Sequence, residues 1–88
     1  MRRWARAERV LYHHTVGHVL LLPRGEQQPL VVSGTGAAVW DRLARPCSVE
    51  ELAGELAHEY GADAATIAAD VEPVLRTLEA HGAVRCQR

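Results

Sequence analysis

The sequence predicts an α+β domain in which a three-stranded antiparallel sheet is followed by three helices, with winged helix-turn-helix character. Three observations lead there. The first third of the chain holds three short extended segments joined by links of a few residues, which suits an antiparallel meander. The rest carries apolar residues at helical spacing in three stretches. Capping and stop signals stand where those stretches begin and end.

The first strand is Arg9-Val10-Leu11-Tyr12-His13-His14, rich in strand formers and followed by a turn over Thr15–Gly17. His18-Val19-Leu20-Leu21-Leu22 is a continuous apolar run closed by Pro23-Arg24-Gly25. Its shortness and flanking Gly and Pro favour a strand over a buried helix. Pro29-Leu30-Val31-Val32 is the third strand, with proline at its start, where a missing N–H is tolerated.

Ser33-Gly34-Thr35-Gly36 breaks the extended chain, and Ser33 or Thr35 is placed to cap the first helix. That helix carries Ala37, Val39, Trp40 and Leu43 and must end before Pro46, because a residue preceding proline is pushed out of the helical region. Ser48-Val49-Glu50-Glu51 reads as a capping box. Val49, Leu52, Ala53, Leu56, Ala57 and Tyr60 form one face of the second helix, and Gly61 is its stop. Asp63 caps the third helix, whose stripe is Ile67, Val71, Val74 or Leu75, and Leu78, with Gly82 as its end. Pro73 falls inside this pattern and predicts a kink, since it removes one backbone bond. Ala83-Val84-Arg85 returns as a short extended piece. The domain is therefore expected over residues 8–85, between an N-terminal arm (1–7) and a C-terminal tail (86–88).

Eighty-eight residues make one domain, and 48% hydrophobic content is ordinary for a globular chain. The longest apolar run falls far short of a membrane span, and the Arg-rich N-terminus lacks the apolar core of a signal peptide. Cys47 and Cys86 fit neither a disulfide framework nor a metal-binding Cys pair, so reduced thiols in the cytoplasm are expected. Net charge is −1, but residues 1–24 hold Arg2, Arg3, Arg6, Arg9 and Arg24 against Glu8 alone. This is either a solvated basic segment or an edge that attracts an acidic partner.

Nucleic acid fits poorly as a partner, because the second helix presents Glu50, Glu51, Glu55 and Glu59, which phosphates would repel. Catalysis fits poorly too. His13, His14, His18, His58 and His81 follow no metal-ligand spacing, and no nucleophile, base and orienting group can be assigned among them. No metal or cofactor is expected. The short third strand has no charge to discourage pairing, and an exposed sheet edge is either a liability or a binding site.

Three stretches resemble the PqqD-like peptide-recognition domains, also called RiPP recognition elements. They are the strand-to-helix junction Val32-Ser33-Gly34-Thr35-Gly36-Ala37-Ala38-Val39-Trp40-Asp41-Arg42-Leu43, the helix Ser48–Tyr60, and Asp70-Val71-Glu72-Pro73-Val74-Leu75-Arg76-Thr77-Leu78 closing on His81-Gly82. The likeness spans residues 8–85, and Pro73 departs from the family's usual helix. It implies a non-enzymatic domain that binds the leader of a ribosomally made precursor peptide. Among free-standing members the chain is most similar to those of lasso-peptide clusters, which deliver the precursor to a separate leader peptidase of cysteine-protease type and to a cyclase. The quinone-cofactor pathway's own member, a winged-helix DNA-binding module and a pure scaffold are the alternatives.

In that family the leader adds as a strand beside the third strand and packs against the third helix. The resemblance thus assigns Leu30, Val31 and Val32 to the edge and Ile67, Asp70, Val71, Val74 and Leu75 to the wall, with Leu78 deeper. Arg24 or Arg76 would meet an acidic leader residue. A Val or Leu at these positions serves a core as readily as a ligand, and Asp70 suits a solvated face as well as a contact. Energetics limit the edge: about four backbone bonds at roughly 0.5–1.5 kcal/mol each are offset by roughly 2–5 kcal/mol for ordering a free peptide. One or two apolar anchors, each contributing about 1.5–3 kcal/mol on burial, must supply the net affinity.

Overall fold

The computed structural model describes residues 2–87. Its elements are β1 (Arg3–Arg6), β2 (Leu11–Thr15), β3 (His18–Leu22), β4 (Leu30–Ser33), α1 (Thr35–Arg42), α2 (Val49–Tyr60), α3 (Ala64–Ala80) and β5 (Val84–Gln87). Strands β2, β3 and β4 form the expected antiparallel sheet in that order, and the expected three helices follow it.

Thr15 pairs with His18 across a tight turn in which Gly17 takes φ 85°, a conformation that suits glycine at a hairpin turn. Val19 pairs with Val32 and Leu21 with Leu30, which puts these four on the inner face of the sheet. Val19 and Leu21 are buried, whereas Leu30 and Val32 are half-buried. Leu20 and its partner Val31 lie on the outer face.

Gly34, at φ 55°, turns the chain from β4 into α1 and occupies the N-cap position without a side-chain bond. Neither Ser33 nor Thr35 caps the helix; the left-handed backbone at Gly34 makes the turn by itself. Val39, Trp40 and Leu43 enter the core as expected. The capping box of α2 is complete: Glu51 N–H donates to Ser48 Oγ at 3.1 Å and Ser48 N–H to Glu51 Oε1 at 3.0 Å. Gly61 closes α2 in the left-handed conformation. Tyr60, placed on the apolar face by its spacing, stands half-exposed in the last turn and takes no part in the core.

Asp63 caps α3 through Thr66 N–H at 3.2 Å. The helix runs as one element through Pro73. Ile67, Val71, Leu75 and Leu78 are its buried stripe, so Leu75 is the core member of the Val74–Leu75 pair. These side chains join Leu21, Val39, Trp40, Leu43, Leu52 and Leu56 in one cluster between the sheet and the helices.

Residues 3–6 and 84–87 pair as an antiparallel ribbon, from Arg3 opposite Gln87 to Arg6 opposite Val84. Much of the segment read from sequence as an arm and part of the tail is thus ordered strand; Met1 and Arg88, their outermost residues, lie outside the described residues. Burial drives this. Trp4 and Ala5 are buried, and Trp4 exchanges backbone bonds with Cys47 at 2.7 and 2.9 Å. Arg6 donates from Nε and Nη2 to the Trp40 carbonyl at 3.1 and 2.9 Å, while its guanidinium lies 4.3 Å from the Trp40 ring centre and 4.9 Å from that of Tyr12.

Ser48→Ala is expected to lower unfolding free energy by about 0.5–2 kcal/mol, the usual effect of losing a cap, read by urea denaturation. The Ser48 N–H bond holds the Glu51 carboxyl below its ordinary pKa. Its stabilisation is therefore present above the unfolded carboxylate pKa and is lost as pH falls through the lower folded value. Glu51→Gln should flatten the acid limb of the stability profile; an unchanged limb would contradict this assignment.

Candidate functional site

Among the described residues β4 pairs only with β3 in the three-stranded sheet, which leaves its other edge unpaired. Between this edge and α3 lies an open, mainly apolar groove of about 260 Å³ lined by Val32, Ser33, Gly36, Pro73, Val74, Thr77 and Leu78. Local sequence builds each wall. The turn at Gly34 carries the chain from β4 beneath the groove into α1. A Cβ at Gly36 would lie 3.4 Å from Val32 Cβ and 4.0 Å from Val74 Cγ1, so glycine keeps the floor open where strand and helix approach. On α3, the buried stripe Ile67–Val71–Leu75 fixes the helix's rotation and leaves Pro73, Val74 and Thr77 to face the groove.

A second depression of about 230 Å³ follows along the same strand and helix, lined by Pro23, Glu26, Gln28, Pro29, Leu30 and His81. The imidazole Nδ1 of His81 lies 3.5 Å from Glu26 Oε1 across it. Leu30 and Val32, two residues apart on one face, thus each border one depression.

The structure divides the residues assigned by resemblance into four sets. Leu30, Val32 and Val74 line the two depressions, and Leu78 lies deeper. Val31, 59% exposed, sits on the edge strand but on the outer face. Ile67, Val71 and Leu75 lie in the core rather than in the groove, because they form the stripe that α3 buries against the body. Asp70, Arg24 and Arg76 are exposed and line neither depression; Arg76 Nη2 lies 3.9 Å from Glu72. Ser33, Gly36, Pro73 and Thr77 were not singled out as lining residues, although Thr77 stands one turn from Val74, a usable signal.

Elsewhere, His14 Nε2 is 3.1 Å from Asp41 Oδ1, and His13 points from the opposite face of β2. Among the described residues no group of three His, Cys, Asp or Glu side chains is placed to hold a metal ion, and no helix is long and apolar enough to cross a membrane. Cys47 is buried and donates to the carbonyls of Arg45 and Arg42 at 3.4 and 3.7 Å. Burial, with Glu55 and Glu51 nearby, raises its thiol pKa, which suits a structural rather than a reactive cysteine.

The family model described as Coenzyme PQQ synthesis protein D (PqqD) matches residues 17–84. Among solved structures, one described as TbiB1 in complex with the TbiA(beta) leader peptide has the same fold, with a TM-score of 0.81 and 22% identity over 92% of this chain and 94% of that chain. No curated protein matches the chain.

The division between groove and core can be measured. Leu75→Ala is expected to cost about 2–5 kcal/mol of stability, as for a core leucine. Val74→Ala, half-buried at the groove, should cost under about 1.5 kcal/mol, the low end of what full burial of an aliphatic side chain contributes. Equal losses in urea denaturation would place both residues in the core.

Proposed function

Because this chain belongs to the PqqD family, we propose that it binds the leader segment of a ribosomally made precursor peptide by adding it as a strand to the free edge of β4, against α3. The observation that carries this reading is an unpaired, uncharged edge strand bordering an apolar groove. Strand addition uses main-chain bonds for affinity and alternating pockets for specificity, and both are on hand. The apolar anchor enters the depression between Val32 and Val74, whose volume fits one side chain better than a whole small-molecule ligand, for which sites run from about 300 Å³ upward. The fold it shares with TbiB1, a chain solved with a leader peptide, supports the reading.

Delivery of the bound leader to a separate leader peptidase and a cyclase, as in lasso-peptide maturation, completes the proposal and rests on the resemblance in the junction and helix residues above. On this reading the domain holds its substrate and leaves the chemistry to its partners. Two unpaired thiols, Cys47 and Cys86, suit a reducing compartment such as the cytoplasm. A second reading takes the precursor peptide of quinone-cofactor synthesis as the ligand; the description of the matching family favours it.

The test is a fluorescence-anisotropy titration with labelled leader peptides of both precursor classes. A Kd near 1 μM, about −8 kcal/mol, is expected for one class. Val74→Asp should weaken it at least tenfold, and N-methylation of alternate leader amides should abolish it by removing strand hydrogen bonds. Tight binding that survives both changes would overturn strand addition at β4.

A further inference from the structure

Resting on that strand-addition reading, we propose that the depression formed by Glu26, Gln28 and His81 is a second, charge-selective subsite that takes a lysine or arginine side chain two residues from the apolar anchor of the bound strand. The spacing follows from the sheet. Residues opposite one another on neighbouring strands share a face, so peptide residues opposite Val32 and Leu30 both point toward α3, while the one between them points outward with Val31. Val32 borders the apolar depression and Leu30 borders the polar one. The helix and its C-cap repeat this order, since Val74, then Thr77 or Leu78, and then His81 at the C-cap follow three or four residues apart.

The lining sets the class of side chain. Pro23, Pro29 and Leu30 offer apolar walls for the methylene stem of a long cationic residue. The Glu26 carboxylate meets His81 Nδ1 at 3.5 Å through one oxygen, which leaves most of its acceptor positions open, and the Gln28 amide oxygen is a further acceptor. An acidic peptide residue would face Glu26 directly. The guanidinium groups that would attract it, on Arg24 and Arg76, line neither depression. Since the Glu26 and His81 side chains are 43% and 46% exposed, solvent screens the pair and the discrimination is moderate, about two- to fivefold in Kd.

Panning a random decapeptide library on the unaltered protein, Glu26→Lys and Val74→Asp tests this. Glu26 is exposed, and circular dichroism checks that its variant is folded. The unaltered protein should enrich peptides with an aromatic or aliphatic residue and Lys or Arg two positions away. Glu26→Lys should switch that second position to Asp or Glu while keeping the anchor. Synthetic peptides bearing Lys, Ala or Glu there should differ by about two- to fivefold per step on the unaltered protein. Anchored peptides with no charge preference, or a preference unmoved in Glu26→Lys, would overturn the subsite and leave strand addition standing. Enrichment that persists in Val74→Asp, or none at all, would overturn both.

Discussion

The packing of α3 through Ile67, Val71, Leu75 and Leu78 governs everything else in this molecule. Side chains at three- and four-residue spacing share one helix face, so burying this stripe fixes the helix's rotation as well as its position. Once it is fixed, the neighbouring face, with Val74 and Thr77, has to look toward the sheet, and the C-cap residue His81 follows beyond it. The groove is what remains between that face and the edge of β4. Pro73 is compatible with this arrangement, because its ring lines the groove, where the side chain has room, while the helix continues past it.

A second constraint holds the opposite wall. Strand β4 leads into α1 through Gly34, and α1 is anchored by the fully buried Trp40. Arg6 reaches across from the terminal ribbon to bond the Trp40 carbonyl twice and to stack on the ring. Trp4 of the same ribbon ties to Cys47, in the link between α1 and α2, just ahead of the capping box at Ser48 and Glu51. The two chain ends thus tie down α1, which directly follows β4, and the entry to α2. For the strand addition proposed above, a pre-formed edge matters energetically, because ordering it at the moment of association would subtract from the affinity.

Charge is distributed in a way that leaves this edge accessible. Acidic side chains on α2 are met by Arg42, which pairs with Glu55 and Glu59, and by Arg3, which pairs with Glu51. The basic residues of the N-terminal segment are therefore partly spent on the body of the protein rather than displayed as one field. Along β4 itself no charged residue intervenes; Glu26 and His81 border the depression at its Leu30 end, and His18 lies opposite Ser33 at the other. Uncharged edges with apolar neighbours invite pairing.

The sequence by itself determined the parts of this structure whose causes are local. The Ser48–Glu51 box and Gly61 bound α2, and Asp63 starts α3. The glycine turn at Gly17 joins β2 to β3, and the apolar run of β3 marks it as the central strand, because each rests on residues a few positions apart. The PqqD-like order of junction and helices was legible for the same reason. Only the tertiary structure decided the rest. Residues 3–6 hold too little local signal to read as a strand, and they become one because residues 84–87 and Cys47 supply partners from elsewhere in the chain. Val71, Val74 and Leu75 are equally apolar in the sequence. Which of them fills the core and which lines the groove depends on the rotation of α3, and that angle is settled only when the helix's apolar residues meet the body they pack against.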